Sequence, residues 1–177
     1  MEFSLQQDAS QLDTASSVIL PLSTATDGSE ALTTDALKAA DTLLNGAISH
    51  AISSGDLSSK FKTSQLFLNA GSGPDRILVI GTGAADKLSG RKYSQLVQAA
   101  WSQISANPGT SVLNQLTSAD TSNLDLNSKV RLTVEAMVKA CYRFDQFKTA
   151  DKETPASPNM VLIAGSDSQK QLDQSTA

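Results

Sequence analysis

The chain has 177 residues, 40% of them hydrophobic and 18% charged, and a formal net charge of −4. That length suits one domain able to bury roughly 70% of the surface its unfolded chain exposes, and the composition excludes a disordered polymer. The acidic balance and the dispersed Lys and Arg argue against a nucleic-acid footprint, and no apolar run approaches the length of a membrane span.

The opening Met1-Glu-Phe-Ser-Leu has neither a basic region nor an apolar signal segment. The single Cys141 has no internal disulfide partner, which suits a reducing compartment. The expected location is therefore the cytoplasm. With aromatics at 5%, the core is expected to consist mainly of Leu, Ile, Val and Ala.

Phe3–Gln6 reads as a short strand and Ser17–Leu22 as a mostly apolar one, with Pro21 marking its end or an edge position. A helix is predicted over Thr34–Ser54. Leu37, Ala40, Leu44, Ala47 and Ala51 recur there at spacings of three and four, and Ile48 and Ile52 widen the stripe. Thr33 is the expected N-cap and Gly55 the stop; Gly46 inside the helix costs about 1 kcal/mol relative to Ala.

Leu66–Asn69 and Arg76–Gly81 flank the loop Ala70-Gly-Ser-Gly-Pro-Asp75, whose glycines and proline predict a reversal and an antiparallel pair. A second helix starts near Ser89 with Tyr93, Leu96, Val97, Ala100 and Ile104 on one face, and Asn107-Pro108-Gly109 ends it. A strand follows at Ser111–Leu116.

A third helix, from about Ser128, turns Val130, Val134, Met137, Cys141 and Phe144 inward. It sets Arg131, Glu135 and Lys139 at four-residue intervals outside. The last strand is Met160–Ala164. This order predicts an α/β fold with a mixed sheet of about six strands and helices on both faces, rather than strict parallel alternation.

The strongest ligand signal is Gly81-Thr82-Gly83, placed directly after an apolar strand, where backbone N–H groups could approach a phosphate. A dinucleotide fingerprint needs a third glycine and an immediate helix, which Gly83-Ala-Ala-Asp-Lys-Leu-Ser does not supply. A tight strand exit is the preferred reading. His50 is offset from the inward stripe of its helix, with Asp56 the nearest candidate metal partner, and reads as solvated. Cys141 reads as an inert core residue rather than half of a dyad with His50. Trp101 reads as a flank-packing residue. No Gly-x-Ser-x-Gly elbow occurs, and Ala70-Gly-Ser-Gly-Pro74 lies in a hairpin-like loop. These readings assign no catalytic, cofactor-binding or metal residue.

The run from Asp75 to Gln98, with its Arg76-Ile-Leu-Val-Ile-Gly-Thr-Gly83 strand leading through a short loop to a helix bearing Tyr93, resembles the N-terminal domain of the cytosol (leucyl) aminopeptidases. Met1-Glu-Phe-Ser4 and Tyr142-Arg-Phe-Asp-Gln-Phe-Lys-Thr149 agree with that family's opening and with the close of its third helix. The resemblance implies a macro-like α/β domain over residues 1–166, with 167–177 beginning an inter-domain helix.

It also implies a larger C-terminal catalytic domain as partner within the same polypeptide. In the family that domain removes N-terminal amino acids from peptides, uses two divalent metal ions (zinc or manganese), and assembles as a homohexamer. The family's Asn-Thr-Asp-Ala-Glu-Gly-Arg-Leu signature does not occur in this chain, so the resemblance transfers no catalytic or metal residue. The expectation is a non-catalytic domain, inert alone, in a parent that is an enzyme. The alternative is a free-standing macro-like module that binds ADP-ribose or a related nucleotide through Gly81–Gly83. DNA contact, known in some members of the family, is disfavoured by the acidic balance.

Overall fold

Alternation along two apolar runs sets the architecture. Strand β2 (Ser17–Leu22) is buried at every position, and strand β4 (Arg76–Gly81) at all but its first. Runs buried on both sides belong at the centre of a sheet covered on two faces. The structure, a computed structural model, describes residues 2–6, 12–24, 32–141, 158 and 160–164.

β1 (Glu2–Gln6), β3 (Ser64–Leu68), β5 (Ser111–Asn114) and β6 (Met160–Ala164) join β2 and β4 in one sheet. Its order is β1-β6-β5-β2-β4-β3. All neighbours are parallel except β3 and β4, which form the antiparallel pair that the glycine-rich loop predicts. Asn69 organises that loop: its side-chain amide donates to the Ser72 and Pro74 carbonyls and its Oδ1 accepts from the Gly71 N–H. The sheet is therefore mixed.

Residues of one parity on the strands, including Ile19, Leu78, Ile80, Val112, Val161 and Ile163, pack against one set of helices. These are α3 (Gly90–Ile104) and α4 (Leu126–Cys141). The other parity, with Val18, Leu20, Ile77, Val79 and Leu113, packs against α1 (Asp35–Leu43) and α2 (Ala47–Ser54). Tyr93, Leu96, Val97, Ala100 and Ile104 are all buried, as their spacing predicts. Trp101 is buried with them, 4% exposed, in place of the flanking position expected of it.

Two expectations are corrected by local chemistry. The helix predicted over Thr34–Ser54 is two helices, because Asn45 (φ 53°) and Gly46 (φ 83°) turn left-handed between them. The Gly46 N–H closes onto the Asp41 carbonyl at 2.8 Å, while the Asp41 carboxylate accepts from the Ile48 and Ser49 N–H groups at 2.9 and 3.0 Å. A carboxylate on the last turn of α1 thus caps the first turn of α2. The N-cap of α1 is Thr34, whose hydroxyl accepts from the Leu37 N–H, rather than Thr33. Gly55 ends α2 as expected.

Pro21 marks neither an edge strand nor the end of its own. β2 runs between β5 and β4 and extends one residue past the proline. The Ile19 carbonyl accepts from Gln115, on the β5 side, and the Leu22 carbonyl accepts from Thr82, on the β4 side. Pro21 shares the orientation of Ile19, so its missing donor faces β5. That strand ends at Asn114, opposite Ile19, and the ladder there has already stopped.

α4 starts at Leu126, two residues before the predicted position, with the Asp125 carboxylate accepting from the Ser128 N–H at 3.0 Å. Hydrogen bonding by Ser128 holds that carboxyl below the usual carboxylate range. Met137 is fully buried and Val130 and Val134 pack partly against the core. Phe144 and the segment Tyr142–Thr149 lie outside the described residues, as do 167–177.

Candidate functional site

Gly81, Thr82 and Gly83 leave β4 at the carboxyl end of the parallel strands, the end where open α/β sheets place their ligands. The three amides are committed within the protein. The Gly81 N–H donates to the Thr63 carbonyl at 2.7 Å, Thr82 to Leu22 at 3.0 Å and Gly83 to Ser59 at 2.8 Å. The Gly81 carbonyl in turn accepts from the Lys62 N–H at 2.9 Å.

The side chains close the same seam. The Thr82 hydroxyl lies 3.1 Å from that of Ser23, and the Thr24 hydroxyl 2.8 Å from that of Ser59. The glycine at 81 is required by space. A Cβ there would stand 2.2 Å from the Lys60 carbonyl oxygen and 2.6 Å from that of Ser58. The glycines therefore let the backbone of residues 58–63 lie directly on the strand's end. This is the tight strand exit of the preferred reading, built as a clasp in which none of the amides of Gly81, Thr82 and Gly83 is left to cradle a phosphate.

The other candidates are not brought together. His50 is exposed on α2, and its carbonyl accepts from the Ser53 hydroxyl. Asp56 accepts from the Ser54 hydroxyl at 2.8 Å. Cys141 is the last residue of α4, and its side chain lies outside the described ones. Among the described residues no group of three or more His, Cys, Asp or Glu converges to hold a metal ion, so the described residues do not fit a dinuclear centre.

Two polar contacts escape sequence reading because each joins elements distant in the chain. Inside the α3–α4 face, the Tyr93 hydroxyl lies 3.0 Å from that of Thr133, both residues fully buried, and burial pushes the phenol well above its ordinary range. Lys129 donates its ammonium to the Thr117 and Ala119 carbonyls at 3.2 and 2.7 Å, pinning the turn after β5 to α4. Partial burial pulls its pKa down.

A cleft of about 500 Å³ lined by Leu12, Asp13, Ala39 and Leu43 opens by the residues that precede β2 and β4, at the opposite end of the sheet. It holds one carboxylate and no convergent acid–base pair. Among the described residues no helix is long and apolar enough to cross a membrane.

A mixed sheet with a clasped strand end and helices on both faces thus defines an α/β domain. Its sequence matches the description "Cytosol aminopeptidase family, N-terminal domain" over residues 24–151. The chain belongs to that family.

A probable cytosol aminopeptidase of Pseudomonas syringae is 33% identical over 139 residues, covering 78% of this chain and 28% of the relative. One from Stutzerimonas stutzeri is 29% identical over 164 residues, covering 92% of this chain and 32% of the relative. The chain therefore spans about a third or less of the length of these curated relatives. Among solved structures, a tomato leucine aminopeptidase mutant superposes with a TM-score of 0.72 at 18% identity, over 98% of this chain and 34% of that one. The bottromycin maturation enzyme BotP, in complex with Mn, gives 0.58 at 17% identity, over 85% of this chain and 27% of that one. These two likenesses are of fold.

Proposed function

We propose that this chain is the non-catalytic N-terminal domain of a leucyl-type metallo-aminopeptidase, spanning residues 1–166 before a connector, and that it serves structure, access or partner contact. The parent enzyme releases N-terminal amino acids from peptides in the cytoplasm, with two zinc or manganese ions held by its larger C-terminal domain, and assembles as a homohexamer. The family match over 24–151 carries this reading. Two further observations support it: the chain covers 28% of a curated cytosol aminopeptidase, and a neighbour in fold is described with Mn. The mixed sheet with helices on both faces supports a macro-like description of the scaffold.

The alternative of a nucleotide-binding module loses its basis, because the Gly81–Gly83 amides that would meet a phosphate are spent on Thr63, Leu22 and Ser59. Incubation of the purified chain with an aminoacyl chromogenic substrate and manganese or zinc is expected to give no release above background. Turnover by the chain alone overturns the reading. Calorimetric titration with millimolar ADP-ribose is expected to give no heat.

A further inference from the structure

We propose that β3 is a self-docking edge, through which two copies of this chain join their sheets in an antiparallel, two-fold symmetric pair. Among the described residues β3 is an outer strand, paired with β4 alone. The Gly81 N–H donates to the Thr63 carbonyl and the Asn69 N–H to that of Asp75, so odd-numbered residues of this segment direct their backbone groups at β4. By the alternation of an antiparallel ladder, Ser64, Leu66 and Leu68 direct theirs outward.

Natural sheets blunt such an edge with charge, proline or a bulge. β3 reads Ser-Gln-Leu-Phe-Leu and has none of these. It instead presents Leu66, 37% exposed, and Leu68, 72% exposed, two of the three exposed large hydrophobic residues among those described. β1, at the opposite edge, begins with the charged Glu2.

The strand is complementary to itself. An axis at Leu66 sets Leu66 opposite Leu66 of the second copy and Ser64 opposite Leu68. Every outward N–H and C=O of the strand then has a partner, and the leucines of both copies form one continuous stripe on a single face. Because the strand has no ionisable side chain, no like charges face one another across the junction, and Lys62 falls opposite Ala70. This neutrality and register favour a second copy over a charged partner. The edge is not part of the Gly81–Gly83 clasp, and its test is independent of any peptidase activity.

Molar mass is measured by light scattering over a concentration series of the 177-residue chain. The expected result is a concentration-dependent rise from 18.5 kDa toward a plateau at twice that mass. Leu68→Lys should raise the dissociation constant at least 10-fold. Ser64→Pro, which removes one outward donor and leaves the leucines in place, should do the same; proline is tolerated where a strand N–H faces solvent. Circular dichroism melts confirm that both variants remain folded.

In a Cys141→Ala background, Leu66→Cys should cross-link into a disulfide dimer, because the two α-carbons across the axis stand about 5.5 Å apart. Ser64→Cys, far from its own symmetry mate, should not. A chain that stays monomeric throughout the series overturns the proposal. So does a dimer indifferent to both Leu68→Lys and Ser64→Pro, or equal cross-linking at positions 64 and 66.

Discussion

The two faces of the sheet are covered by the same kinds of aliphatic side chain, yet they are specified differently. On one face α3 and α4 are unbroken helices of 15 and 16 residues, tied by a hydroxyl pair buried between Tyr93 and Thr133. On the other, a single amphipathic stripe is bent into α1 and α2, and the bend is fixed by Asp41, Asn45 and Gly46. Apolar periodicity places helices on a sheet. Where a helix must stop or turn is decided by a few polar and left-handed residues, and the two faces show long-range and short-range versions of that decision.

Truncating one fully buried leucine on each face should cost the most and nearly the same. Leu96→Ala under α3 and Leu37→Ala under α1 are each expected to lose about 3 kcal/mol in urea unfolding, from lost transfer energy and the cavity left behind. A large inequality between them would show that one face dominates the fold.

The polar contact separates the faces next. Tyr93→Phe should cost about 1–2 kcal/mol by leaving the Thr133 hydroxyl without its partner. Burial raises the folded phenol above its ordinary value of about 10. The unfolded chain therefore loses that proton first, and the stability from the neutral phenol is full below pH about 10 and lost as pH rises through the folded value. Urea midpoints at neutral and alkaline pH should show the wild type falling more steeply above pH about 10 than Tyr93→Phe.

On the α1–α2 face, Asp41→Ala removes the carboxylate that caps α2. It is expected to cost about 1 kcal/mol and to lower helical circular dichroism without changing the alkaline behaviour. The smallest effect is a gain. Gln65 Oε1 is buried at the margin of this face without a hydrogen-bond partner among the described residues. Gln65→Leu should raise the unfolding free energy by about 0.5 kcal/mol, because an unpaired buried acceptor is disfavoured.

Much of this framework was legible in the sequence. β2, β4 and β6 coincide with their apolar runs, and Tyr93 to Ile104 are buried as a spacing of three and four requires. The split at Asn45–Gly46 escaped because periodicity continues across it: the stripe from Leu44 to Ala51 looks unbroken to a count of apolar positions, while the cap from Asp41 reaches seven residues ahead. Pro21 escaped for a different reason. Its tolerance depends on where β5 stops, more than ninety residues later.

The chemistry of Gly81–Gly83 could not be decided locally at all. Either a ligand or the protein's own backbone can use a glycine at a strand's end, and the answer lies in residues 58–63, a polar stretch without periodicity. The family resemblance, resting on the strand that leads into those glycines and on Tyr93, held where local chemistry was mute.

The seam between residues 58–63 and the end of β4 has a consequence for motion. Because the amides of Lys62, Gly81 and Gly83 donate to backbone carbonyls across it, and that of Thr82 donates to the Leu22 carbonyl of β2, they should exchange with deuterium at rates closer to those of the sheet's interior than to those of a surface turn. The loop then opens only when the strand does, and two stretches that look like connectors behave as one cooperative unit with the centre of the sheet.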